Sequence, residues 1–76
     1  MIKVFIIDDS MLIRNFIHKL LKNNKTITII GESSNPVDAM KELKKTGLPD
    51  VFILDIEMPK MDGITFLKKI KSEKPI

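Results

Sequence analysis

Two short runs of unbroken apolar residues, Val4-Phe5-Ile6-Ile7 and Val51-Phe52-Ile53-Leu54, punctuate the chain, and each stops abruptly on an aspartate. Runs without polar alternation fit strands covered on both faces, as in parallel sheets. Thr26 to Ile30 is β-branched throughout and predicts another strand, running into Gly31-Glu32-Ser33. The intervening segments carry helical spacing instead. Leu12, Phe16 and Leu20 form one i,i+4 row and Ile13, Ile17 and Leu21 the next, predicting a helix from about Ser10 to Asn23. Asn35-Pro36 reads as an N-cap followed by proline at the first helical position, with Val37, Met40 and Leu43 carrying that helix toward Gly47. After Asp62-Gly63, the spacing of Ile64, Leu67 and Ile70 predicts a third helix ending near Ser72.

The predicted order is β-α-β-α-β-α, which implies an α/β fold with a parallel sheet and right-handed crossovers. The pattern stops at Lys74-Pro75-Ile76, where alternation would next supply a strand. The outer edge of the last strand is therefore expected to be bare, and a bare edge invites pairing with a second copy or a swapped segment.

Composition narrows the class. At 76 residues the chain has room for one small domain, and 43% apolar with 30% charged residues is globular rather than disordered. Without cysteine there is neither a disulfide framework nor a thiolate zinc site. No apolar run approaches the ~18 residues of a membrane span, and the start, Met1-Ile2-Lys3-Val4, lacks the layout of a signal peptide. A soluble module of the cytoplasm is expected. The net charge of +3 does not point to nucleic acid. Arg14 is the sole arginine, whereas base readout leans on arginine, and there is no Tyr or Trp for stacking. The lysines gather between Lys19 and Lys25, Lys41 and Lys45, and Lys68 and Lys74, on polar faces and last turns of predicted helices, where cations favour the helix dipole.

The candidate chemistry is acidic. Asp8 and Asp9 follow the first strand, Asp55 follows the third, and Glu57 lies just beyond. In open parallel sheets ligands bind outside the carboxyl ends of the strands, where successive crossovers diverge. If the first strand is central, Asp8, Asp9 and Asp55 converge there. Crowded carboxylates repel unless protonated or neutralised, and an all-oxygen set suits Mg²⁺ with positions left open for a phosphoryl group. Each piece also has an ordinary role. Asp8-Asp9-Ser10 serves equally well as a helix cap, Asp55 as the start of a turn, and Met58-Pro59 and Asp62-Gly63 as turn dipeptides. Those roles leave unexplained why an acidic pair and a lone aspartate stand at the same end of two buried strands. His18 avoids both apolar rows and is expected to be exposed. Ser33 and Ser34 read as loop polar groups, since no histidine is placed to activate either.

The stretches VFIIDDSMLIR and PDVFILDIEMPKMDGITFLKKI resemble the receiver domain of two-component response regulators. With SNPVDAM, they look most like the N-terminal receiver of chemotaxis protein-glutamate methylesterases. The resemblance implies a flavodoxin-like three-layer sandwich, here with strand order 2-1-3, and residues 1–76 as a partial receiver lacking its last two βα units. It implies Asp55 as the phosphoacceptor, attacking a phosphohistidine on a sensor histidine kinase. Asp9 and Asp55 would ligate Mg²⁺ directly, Asp8 mainly through metal-bound water, and Glu57 through its backbone carbonyl. It further implies an attached or partner output such as a methylesterase, so this chain alone is not expected to be an enzyme. A free-standing chemotaxis receiver acting by protein–protein contact is the alternative. A small Mg²⁺-dependent aspartyl phosphatase fits less well, because Glu57 stands where such enzymes place a second aspartate.

Overall fold

The computed structural model of the chain describes residues 1–55 together with Thr65 and Lys68. The elements are β1 (Ile2–Ile7), α1 (Met11–Leu21), β2 (Ile27–Ser33), α2 (Pro36–Thr46) and β3 (Val51–Leu54). Thr65 and Lys68 are helical, and the rest of the expected third helix, with the Met58-Pro59 and Asp62-Gly63 turns, lies outside the described residues. All strand pairing is parallel, and the order is β2-β1-β3. Stepping from β1 to β2 and back across to β3 by right-handed crossovers carries α1 and α2 to opposite faces of the sheet.

β1 is central because its side chains are apolar on both faces. Val4, Phe5, Ile6 and Ile7 are all buried, the last three completely. Alternation sends Phe5 and Ile7 to the α2 face, where they meet Ala39 and Leu43, and Val4 and Ile6 to the other. Phe52 of β3 closes that α2-side core edge-on against Phe5, with ring centroids 6.1 Å apart. The α2 helix forms as its ends dictate. Asn35 accepts from the Asp38 N–H at 2.9 Å and donates back to the Asp38 carboxylate. Pro36 follows, and Gly47, at φ +79°, closes the helix by donating to the Leu43 carbonyl.

One expectation is corrected. β2 does not end at Ile30 but continues through Gly31, Glu32 and Ser33, because pairing with Phe5, Ile6 and Ile7 draws it along. The register slips by one residue between Val4 and Phe5, so Ile30 and Gly31 both turn toward the Phe5 face. Ser33 is accordingly a buried strand residue rather than a loop polar group. The α1 helix, in turn, buries no residue completely among its two apolar rows. Ile17 and Leu21 turn toward the sheet and are half-buried, whereas Leu12, Phe16 and Leu20 are exposed. Among the described residues, no helix is long and apolar enough to cross a membrane.

A Cβ at Gly31 would sit 2.7 Å from Cε2 of the fully buried Phe5 ring. Gly31→Ala must therefore push that ring into a packed core, and overpacking of this kind costs about 1–3 kcal/mol. Urea denaturation should show the midpoint falling with the slope unchanged; a variant as stable as the parent would mean the ring has room to move.

Candidate metal centre

β1 and β3 run in register from Val4 opposite Val51 to Ile7 opposite Leu54, so the residues that follow leave the sheet side by side. The Asp55 N–H donates to the Ile7 carbonyl at 2.9 Å, and the Asp8 N–H donates to the Ser33 carbonyl at 3.1 Å. These bonds extend both ladders one step beyond the strands. One carboxylate oxygen from each of Asp8, Asp9 and Asp55 lies within 4.8 Å of the others. Asp8 and Asp55 are half-buried and Asp9 is exposed, which keeps the cluster open to solvent. The condition attached to their convergence, a central first strand, is met. Glu57 lies outside the described residues.

Like charges held this close repel one another. A proton or a cation relieves that repulsion. Every donor atom is a hard carboxylate oxygen, a set that suits hard divalent ions such as Mg²⁺.

The turn that presents the acidic pair is specified by its own hydrogen bonds. Ser10, not an aspartate, caps α1, its Oγ accepting from the Ile13 N–H at 3.3 Å. Asp8 Oδ1 accepts the Ser10 N–H at 2.9 Å, which leaves Asp9 to project outward. The capping role that Asp8-Asp9-Ser10 could have filled together thus falls to Ser10 alone. Arg14, one turn into α1, donates from Nη1 to the Asp8 carbonyl at 2.6 Å and from Nε to Glu32 Oε1 at 2.8 Å. His18 Nε2 meets the other oxygen of Glu32. The His18 side chain is 41% exposed, close to expectation, but its engagement with Glu32 was not anticipated. Arg14 and Glu32 were missed as well. The available signal was Arg14 and His18 at i,i+4 on α1, which puts both on one side of the helix.

A response regulator receiver domain pattern matches residues 4–76. The chain belongs to the response regulator receiver domain family. It is 56% identical, over 75 residues, to "Protein-glutamate methylesterase/protein-glutamine glutaminase 3" of Leptospira interrogans, covering 99% of this chain and 21% of that protein. It is 53% identical over 75 residues to the protein of the same name from Shewanella oneidensis, again covering 99% of this chain and 21% of the relative. The receiver thus spans about a fifth of the length of these curated relatives. Among solved structures, the response regulator domain of Thermotoga maritima CheB superposes with a TM-score of 0.85 at 30% identity, covering 97% of this chain and 55% of that one. The isolated receiver of RcsB from Salmonella enterica matches with a TM-score of 0.84 at 31% identity, over 97% of this chain and 55% of that one. The fold is therefore the flavodoxin-like α/β arrangement of receivers, and the sequence is similar to the matching fifth of relatives named protein-glutamate methylesterase/protein-glutamine glutaminase.

In this receiver the Glu32 carboxyl is subject to opposing influences. Partial burial acts to raise its pKa, and the His18 and Arg14 hydrogen bonds and charges outweigh it, holding the group below its ordinary value. A carboxylate with a lowered folded pKa contributes stability that is fully present above its ordinary unfolded value and is lost as pH falls through the lower folded one. Melting temperature followed from pH 6 downward should decline in that window, and Glu32→Gln should flatten the decline. An acid limb identical in parent and variant would assign the loss to other carboxylates.

Proposed function

We propose that this receiver accepts a phosphoryl group onto Asp55 from a phosphohistidine of a sensor histidine kinase, with Mg²⁺ held by Asp8, Asp9 and Asp55. What carries the reading is the convergence of those three carboxylates at the C-terminal edge of a receiver sheet. The backbone carbonyl of Glu57 completes the proposed ligand set. Asp9 and Asp55 would hold the ion directly, and Asp8 would act mainly through water.

In the proposed transfer, an Asp55 carboxylate oxygen forms a bond to phosphorus as the phosphorus–nitrogen bond of the phosphohistidine breaks, the electron pair leaving with the imidazole. When bound, Mg²⁺ offsets the negative charge shared among the aspartates and the phosphoryl oxygens. The protein's own contribution is placement. The Asp55 N–H bond to Ile7 fixes where the acceptor leaves the sheet, and the Asp8 N–H bond to Ser33 fixes the opposing rim. The product adds roughly two negative charges at a place already dense with them, a local change suited to signalling.

The output proposed to receive that signal is a protein-glutamate methylesterase/glutaminase domain in the same polypeptide, in the cytoplasm, by analogy with the relatives named above. On this reading residues 1–76 are the first three βα units of the receiver, and the chain itself carries the acceptor rather than the esterase chemistry.

Incubation with acetyl phosphate and Mg²⁺, followed by peptide mass spectrometry, should locate a phosphate on Asp55 that Asp55→Asn removes. Mg²⁺ at about 100 times its dissociation constant should also stabilise the fold by about 2.7 kcal/mol, seen as a rise in melting temperature. Phosphate on another residue, or turnover of added phosphate esters without a labelled chain, would overturn the assignment.

A further inference from the structure

Arg14 occupies a place that neither capping nor core packing requires. Its side chain is only 13% exposed although it carries a full charge. Its donors are divided between two backbone neighbourhoods far apart in sequence. Nη1 reaches the Asp8 carbonyl, six residues back, and Nε reaches Glu32, eighteen residues on, at the end of β2. A charged donor at 2.6 Å from a carbonyl is a strong hydrogen bond, and the planar fork of guanidinium is what allows one side chain to serve both partners. Glu32 is itself held on its second oxygen by His18, so the fork cannot swing without breaking two contacts.

From this geometry we infer that Arg14 is a positioning residue for the acidic cluster. It clamps the Asp8 carbonyl to the end of β2 and so fixes the direction in which the Asp8 and Asp9 carboxylates leave the backbone. The inference rests on the reading of that cluster as a metal and phosphate site, and deepens it by adding the residue that sets its shape. Among the described residues, Arg14 is the one side chain that bonds to the carbonyl of Asp8. The N–H of the same residue is bonded to Ser33 and its carboxylate to the Ser10 N–H, leaving the peptide between Asp8 and Asp9 to be turned by Arg14. A rotation of that peptide would swing Asp9, whose exposed side chain has no packing to hold it.

Side chains that orient metal ligands from behind alter metal affinity by roughly 10–100-fold when removed. Arg14→Met keeps the buried aliphatic stem and deletes both donors. Arg14→Lys keeps the charge but cannot fork. Asn35→Ala removes the α2 cap, well away from the cluster, and serves as a destabilised control. Mg²⁺ binding by titration calorimetry is expected to weaken roughly 10–100-fold in Arg14→Met and measurably in Arg14→Lys, with Asn35→Ala matching the parent. In the metal-free chain, amide hydrogen exchange at Asp8 and Ser10 should accelerate in Arg14→Met while Ile6 and Ile7 keep their protection.

Parent-like Mg²⁺ affinity in Arg14→Met would overturn the inference, as would parent-like affinity in Arg14→Lys, which would reduce the role to charge. Unchanged exchange at Asp8 and Ser10 would overturn it independently of any metal. A parent chain that binds no Mg²⁺ would defeat the functional reading instead, and the exchange measurement would still decide whether Arg14 shapes the turn.

Discussion

Backbone hydrogen bonds run from β1 to β2 along one edge and to β3 along the other, and both ladders finish at the same height. Ile7 lies opposite Ser33 on one side and Leu54 on the other. That level finish is what turns sequence positions some forty-seven residues apart into neighbours. It depends in turn on β1 being apolar on both faces, since only a strand covered by helices above and below can accept parallel partners on both edges. The acidic cluster is therefore a by-product of burial. The hydrophobic effect sets the height at which the strands end, and the first polar residue after each end inherits a shared location.

The same arrangement concentrates cost at the point of use. Carboxylates that would disperse in an unfolded chain are pressed together by the ladders beneath them, so part of the stability supplied by Phe5, Ile6 and Ile7 is spent against repulsion at Asp8, Asp9 and Asp55. Local rules are broken where ligands are to be held, and the core offsets the strain. The exposed row of α1, Leu12, Phe16 and Leu20, is a second departure from ordinary patterning, for its helix buries no residue completely.

Much of this was legible in the amino-acid order because the signals were local. The unbroken run from Val4 to Ile7 declared a doubly covered strand, although the matching run from Val51 to Leu54 is exposed at Val51 and only half-buried beyond it; Asn35-Pro36 and Gly47 marked the ends of α2, and aspartate after each run marked the site. The extent of β2 was not legible. Gly31-Glu32-Ser33 has weak strand propensity and pairs only because β1 continues beside it, a tertiary influence overriding a local one. The Arg14–Glu32–His18 cluster was hidden for the same reason. Its members are separated by fourteen and eighteen residues and meet only once the crossover has folded α1 over β2.

The one-residue slip between Val4 and Phe5 decides which atoms of β2 belong to which side of the sheet. With the extra residue present, Gly31 slides beneath the phenyl ring and Glu32 emerges under α1. Were the same residues paired without the slip, with Ile30 opposite Phe5, Gly31 would fall opposite Ile6 and Glu32 opposite Ile7, exchanging those two destinies. The carboxylate would be driven into the oily interior, and the arginine would look down on a bare methylene. The irregularity thus acts as a parity switch: one surplus residue in the ladder keeps the acid beneath the first helix and the glycine beneath the ring.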